Sequence, residues 1–373
     1  MEIKMNTISI KKQTSIIIDK IKILSLLFFL SFEMQSSKVY FLDFGMTNEN
    51  KEKFKKQIQA FPDPYTFKSI VSSEDGIQIS PNYKRIMNEL SNLMIDCLSP
   101  DAVRLLREKS KNFDFDSIII KNLPHDDYTP SFKAKKLSDR SDAKNTKVSE
   151  YAILGLASLM GYYVSSLKEE HEGRIIHNIS PVEDSKKSKS SIGSVQFNYH
   201  TDDSYASFFP KMFILMGIEP DFESGSKTSI LPIADILREM PLKELAELKK
   251  PQYWIRSNES VEGTVDHICC IIEEETTSEN QKIFRFRFIY DEDSERIVGI
   301  NEKANQALKV LNSIIKRLEK SAMKFNLQKG EAIILNNGIG LDNPGGLLHG
   351  RIGTIKNPTR FLQRGKLYIN QNQ

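Results

Sequence analysis

The sequence predicts a mainly β fold with α elements, a barrel or jelly roll carrying helices on its outside. Three observations predict it. From residue 174 onward short strand-type runs dominate, separated by turn residues. The helical stretches flank these runs and do not alternate with them, so a doubly wound sheet is not supported. The 373 residues are 39% hydrophobic and 27% charged, enough apolar material for a sizeable core and too much for wholesale disorder.

Residues 1–34 stand apart. The apolar run ILSLLFFLSF at 23–32 follows Lys4, Lys11, Lys12, Lys20 and Lys22, as in the n- and h-regions of a signal peptide. It is too short to span a bilayer comfortably, and no A-x-A-like cleavage site follows. The other reading is an upstream extension with Met34 as the start. Residues 35–373 are expected to form a single domain, placed in the cytoplasm unless the first segment is a secretory signal.

Within that domain, 38–44 reads as a short strand, and 51–60 and 84–111 as helices, the latter with Ile86, Leu90, Leu93, Met94 and Cys97 on one face. A strand at 116–121 stops at Asn122, Leu123 and Pro124. The polar stretch 125–148 reads as a mobile loop or lid. A helix is expected at 149–168, with Ser149 as its cap. The strand-type runs are RIIHNI, SVQFNYH, KMFILMG, KTSILPI, QYWIR, VDHICCIIEE, IFRFRFIY, EAIILNN and RFLQRGKLYI. A short helix at 233–249 and a long one at 302–322, with Ala304, Leu308, Leu311, Ile315 and Leu318 in register, complete the set.

Composition excludes several functions. A net charge of +3 on 52 basic and 49 acidic residues gives no reason to expect a nucleic-acid partner. Cys97, Cys269 and Cys270 cannot build a disulfide framework, and there is no CxxC pair for a zinc module. Neither GxGxxG nor GxxxxGK[ST] occurs, so no phosphate-cradling loop is indicated.

The chemistry lies in the histidines: His125, His171, His177, His200, His267 and His349. In Tyr199-His200-Thr201-Asp202, an extended chain puts His200 and Asp202 on one face. His349, in Leu348-His349-Gly350-Arg351, follows a Gly/Pro-rich loop at 338–346, as at a rim. Two histidines and one carboxylate are the facial triad of non-heme Fe(II) oxygenases, which leaves coordination positions open. Zinc more often takes four ligands, or three and a water. Arg360, Leu362 and Arg364 share a strand face. An inward guanidinium needs a carboxylate, and a dicarboxylate cosubstrate supplies one with bidentate geometry. Otherwise both arginines are solvated strand charges.

HTDD at 200–203, LLHGR at 347–351 and TRFLQR at 359–364 together resemble the clavaminate synthase-like branch of the Fe(II)/2-oxoglutarate oxygenases, in the wider TauD group. IIIKNLPHDDYTP at 118–130, EEHEGRIIHNISPV at 169–182, DEDSERIVGINEKANQAL at 291–308 and LQKGEAIILNN at 327–337 extend the resemblance, in order, over roughly 38–370. It implies a distorted double-stranded β-helix, jelly-roll or cupin-like, with flanking helices. It implies that His200, Asp202 and His349 hold Fe(II), and that Arg360 and Thr228 hold the far carboxylate of 2-oxoglutarate. The implied reaction consumes O2, releases succinate and CO2, and hydroxylates an unactivated C–H.

Relatives in that family act on free amino acids. By resemblance Glu170 would take an α-amine and Arg364 an α-carboxylate, and Asp291 and Asp293 would receive a basic side chain, arginine or lysine. Taken alone, Glu170 is a solvated residue in a charge run, and 291–295 is a solvated acidic turn. Two departures stand out: the triad acid is Asp202 where many relatives carry glutamate, and the loop before His349 is long. The competing readings are a related oxygenase acting on another small acid, such as a sulfonate, or on a carrier-tethered or peptide residue, and a β-helix binding protein without catalysis.

Overall fold

The computed structural model describes residues 38–369, except 44, 68, 73–75, 130, 137, 169, 222–224, 258–265, 277–279 and 291–295. The signal-like segment and the acidic turn with Asp291 and Asp293 therefore lie outside the described residues.

Nineteen strands are described. Those before the middle of the chain are β1 (Val39–Leu42), β2 (Ser69–Ser72), β3 (Gly76–Ile79), β4 (Ser117–Ile120), β5 (Tyr163–Leu167), β6 (Ile176–Ile179), β7 (Phe197–His200), β8 (Met212–Glu219) and β9 (Lys227–Pro232). Then come β10 (Tyr253–Arg256), β11 (Asp266–Cys269), β12 (Ile272–Thr276), β13 (Lys282–Phe286) and β14 (Ile297–Gly299). The last are β15 (Met323–Phe325), β16 (Ala332–Asn336), β17 (Ile339–Leu341), β18 (Leu347–Ile352) and β19 (Phe361–Tyr368). A large mixed sheet runs β1-β4-β16-β8-β19-β5-β2-β3, with β6 also on β19. A four-stranded sheet runs β15-β9-β18-β7, and two three-stranded sheets, β11-β10-β14 and β12-β13-β17, stand beside it.

Period-two alternation distributes the strand residues among three cores. In β8, Met212, Ile214 and Met216 face one core, and Phe213 and Leu215 face another. In β16, Ala332 and Ile334 part from Ile333 and Leu335 in the same way. The first core lies under the helices Pro81–Cys97, Pro100–Asn112 and Val148–Leu159. The second set meets Ile230 of β9 and Leu347 of β18, so the large sheet packs face to face on the four-stranded one. The outer face of the four-stranded sheet, with Leu231 and Leu348, buries against Ile233–Glu239, Leu242–Leu248 and Glu302–Leu318. Strands between helical layers agree with the mixed β and helical reading. Among the described residues no helix is long and apolar enough to cross a membrane.

The boundaries differ where a local signal was read through. The stretch 84–111 is two helices, because Ser99 caps the second through Ala102 N–H and Pro100 occupies its first turn. The stretch 233–249 breaks likewise at Met240 and Pro241. The helix expected at 149–168 is Val148–Leu159; Gly161, at φ 86°, turns the chain into β5. VDHICCIIEE is two strands, and the 338–346 loop contains β17, paired with β13. The β2–β3 hairpin had no counterpart in the sequence reading.

The helix Val148–Leu159 is capped from a distance. Asp126 accepts the N–H of Val148 at 3.0 Å and of Ser149 at 3.2 Å, the Ser149 hydroxyl at 2.6 Å, and the Lys144 ammonium at 2.6 Å. Lys144 also meets Glu150 at 2.6 Å, and Glu150 accepts from Gln363 of β19 at 2.8 Å. Both partners of each ion pair are fully buried. Breaking such a buried pair on one side costs about 3 kcal/mol or more. Asp126→Ala is therefore expected to lose at least that much in urea unfolding, and a loss below 1 kcal/mol would remove Asp126 as the anchor of the 125–148 stretch.

Candidate active site

β19 sets the site. Its odd residues Phe361, Gln363, Gly365 and Leu367 face the helical layer, where Phe361 and Leu367 join the first core. Leu362, Arg364 and Lys366 face the space between the sheets, and Arg360 precedes them on the same side. These three charged residues are buried, not solvated.

His349 lies within β18 and not on a loop rim; His200 of β7 is directly opposite it in the ladder. Neighbouring register brings the two imidazoles to 4.1 Å between ring centres. Asp202 arrives differently from the extended-chain expectation. β7 ends at His200, and the chain turns with Asp203 at φ 54°. Asn337 holds that turn: its side-chain oxygen accepts the Asp202 N–H at 2.7 Å, and its amide donates to the Asp202 carbonyl at 3.0 Å and the Pro210 carbonyl at 2.9 Å.

The result is a compact donor set. Asp202 Oδ1 lies 3.5 Å from His200 Nε2 and 3.2 Å from His349 Nε2, and one ligand atom from each of the three residues lies within 4.8 Å of the others. The His200 Nδ1 donates to the Asn198 carbonyl at 2.7 Å, which turns its Nε2 lone pair toward Asp202. Burial, then His349 beside it, pulls His200 down to about 4, so the ring is neutral at pH 7. Burial opposes ionisation of Asp202, yet the Arg364 guanidinium and the two imidazoles hold it well below the carboxylate range. A bare lone pair facing a carboxylate oxygen is an arrangement that a shared cation satisfies.

Two pockets flank these residues and share Ser191, Phe197 and Arg364. One, of about 420 Å³, is lined by Thr228, His349, Arg351, Arg360 and Arg364. Thr228 pairs across the ladder with Arg351. Arg351 donates to the carbonyls of Ser190 and Val195. Arg360 Nη1 is buried with no hydrogen-bond partner. Burial lowers Arg360 to about 10; burial, and then Arg360, lowers Arg351 to about 9. The buried Asp221 lies near both cations, and the orphaned Arg360 donor still calls for a further acceptor there. The second pocket, about 370 Å³, is lined by Glu170, His200, Asp202, Asp203, Tyr205 and Arg364, among others.

Glu170 is buried and not part of a solvated run: it accepts from Arg364 at 3.3 Å and from Lys366. His177, opposite Arg364 in the β6–β19 ladder, accepts from it at 3.1 Å and donates to Ser166 at 2.8 Å. Asp203, His177, Asn337, Arg351 and Lys366 were not singled out from the sequence. Lys366 continues the row of Arg360, Leu362 and Arg364, while Asp203, Arg351 and His177 stand within HTDD, LLHGR and the histidine set without a role assigned to them.

No protein-family model matches the sequence. No curated protein matches it either. Solved structures do. An asparagine oxygenase in complex with Fe(II), 2S,3S-3-hydroxyasparagine and succinate superposes with TM-score 0.66 at 14% identity, over 88% of this chain and 93% of that one. The non-heme iron oxygenase OrfP, with Fe, succinate and (3S)-hydroxy-L-Arg, gives 0.63 at 14% identity, over 90% and 95%. The same OrfP with Fe and alpha-ketoglutaric acid gives 0.63 over the same shares. The fold is shared with solved non-heme iron oxygenases. At this identity the likeness establishes the mixed sheet-and-helix architecture, and the chemistry has to rest on the residues above.

Burial, and then the neighbouring His171, holds His177 well below its ordinary 6.5. The unfolded chain thus binds a proton that the folded one refuses, and His177 takes stability away as pH falls below about 6.5. Asp203, pushed up to about 6 mainly by burial, acts in the opposite sense. Comparing variants isolates the histidine: in metal-free protein His177→Gln is expected to flatten the stability–pH slope in that window by up to about 1.4 kcal/mol per pH unit. An unchanged slope would contradict a neutral buried ring.

Proposed function

We propose that this protein is an Fe(II)- and 2-oxoglutarate-dependent oxygenase that hydroxylates an unactivated C–H of an amino acid, with release of succinate and CO2. One observation carries the reading: a buried His200, Asp202 and His349 donor set beside a pocket into which Arg360 sends an unpartnered donor. The donor types suit a non-heme iron site with open positions. The bound metal and cosubstrate supply the oxidising chemistry. The chain's own residues hold and orient: Arg360 and Thr228 receive the distal carboxylate, Asn337 fixes the backbone of Asp202, and Asn198 fixes the ring of His200.

The architecture supports the reading, since the similar structures are oxygenases crystallised with hydroxylated asparagine or arginine and with succinate. A basic side chain, arginine or lysine, received by Asp291 and Asp293, is the finer proposal. OrfP bound to hydroxylated arginine supports it.

Anaerobic Fe(II) and 2-oxoglutarate are expected to give a visible charge-transfer band. Asp202→Ala should abolish it, and a variant that keeps the band would overturn the donor set. Arg360→Ala should weaken 2-oxoglutarate binding about tenfold or more, the worth of a charged hydrogen bond in a buried site.

A further inference from the structure

The oxygenase reading, on which this inference rests, leaves open how the substrate's α-nitrogen is met. By resemblance Glu170 is the acid that would take an α-ammonium. In this chain that position is filled from within. Lys366 Nζ donates to Glu170 Oε2, and to Asp203 Oδ1 at 2.6 Å and Oδ2 at 2.7 Å. An ammonium has three hydrogens, and these three oxygens account for them. Lys366 is 1% exposed, Glu170 3% and Asp203 6%. The hydroxyls of Tyr205 and Tyr368 each donate to Asp203 at 3.3 Å, and Glu170 Oε1 faces Arg364. Each Glu170 oxygen therefore already has a cation. A substrate ammonium would have to displace Lys366, and would leave a buried charge stranded.

Arg364 presents the opposite chemistry. It is buried in the wall common to both pockets, and its Nε has no partner. Its Nη1 donates to Asp202 Oδ2 at 2.8 Å, the oxygen that does not face the histidines. The face that meets the substrate thus offers a guanidinium with one unpartnered nitrogen, Nε, and no uncommitted carboxylate on Glu170.

We infer that the substrate is received as an anion without a free ammonium: its carboxylate docks on Arg364, and its α-nitrogen is acylated or otherwise uncharged, because Lys366 occupies the ammonium position. The substrate class becomes an Nα-blocked amino acid in place of the free zwitterion.

The test uses the full protein with Fe(II) and 2-oxoglutarate under anaerobic conditions. The twenty common L-amino acids and their Nα-acetyl derivatives are titrated in, and the shift of the charge-transfer band is read. Absence of the band in folded protein would overturn the oxygenase reading itself. With the band present, an acetylated acid is expected to shift it at a concentration at least tenfold below its free counterpart. Free acids that act at equal or lower concentration would overturn the inference, and so would silence from both panels. Lys366→Met, with the ammonium removed and Glu170 left open, is expected to reverse the preference toward free acids. A folded variant with unchanged preference would show that Lys366 does not set it. Should the variant fail to fold, the two panels on the unaltered protein decide alone.

Discussion

Burying a row of cations on one strand is the constraint around which this molecule is organised. Every residue of β19 is buried, because one of its faces packs on the helical layer and the other on the space between the sheets. One face satisfies this with Phe361, Leu367 and a glycine. The other carries Arg360, Arg364 and Lys366, and a buried charge persists only when paired. Three carboxylates converge on Arg364 and Lys366: Asp202, Asp203 and Glu170, from a turn after β7 and a loop after β5. The candidate metal ligand is thus also the counter-ion of a strand arginine. The geometry of the donor set and the stability of the sheet depend on the same contacts.

The helical layer reaches this strand from behind. Gln363, on the opposite face of β19, is tied to Glu150, which shares Lys144 with Asp126. Gly365 lets β19 lie against Ile153 and Val164, where a Cβ would come within 2.5 Å of the Ile153 side chain. A displacement of the helix Val148–Leu159 would therefore be transmitted to the strand that carries Arg364. Gln363 and Gly365, between the apolar Phe361 and Leu367 on the hidden face, couple the helix to the strand that carries the cation row.

Much of this was legible in the sequence because the signals were local. The strand runs, the HTD triplet and the arginine row are all patterns of period two, and they place side chains on faces without knowledge of partners. Asp202 lies where alternation predicted, although a turn held by Asn337 puts it there; the partner of that turn is far away in the chain and leaves no local trace. Helix boundaries were missed where Ser99-Pro100 and Met240-Pro241 interrupt an otherwise continuous apolar pattern. The role of Glu170 was the least legible. Its charge run suggests solvent, and only the fold shows Lys366 buried against it.

The pocket with Arg351 and Arg360 has a practical consequence. Two neighbouring buried guanidiniums, one with an unpartnered nitrogen, make a site that attracts small anions, even with Asp221 near them. Sulfate, phosphate or citrate from a purification buffer would settle there as readily as a metabolite of similar charge. Such guests would raise the melting temperature, compete with any dicarboxylate added later, and make the affinity measured for it depend on the choice of salt.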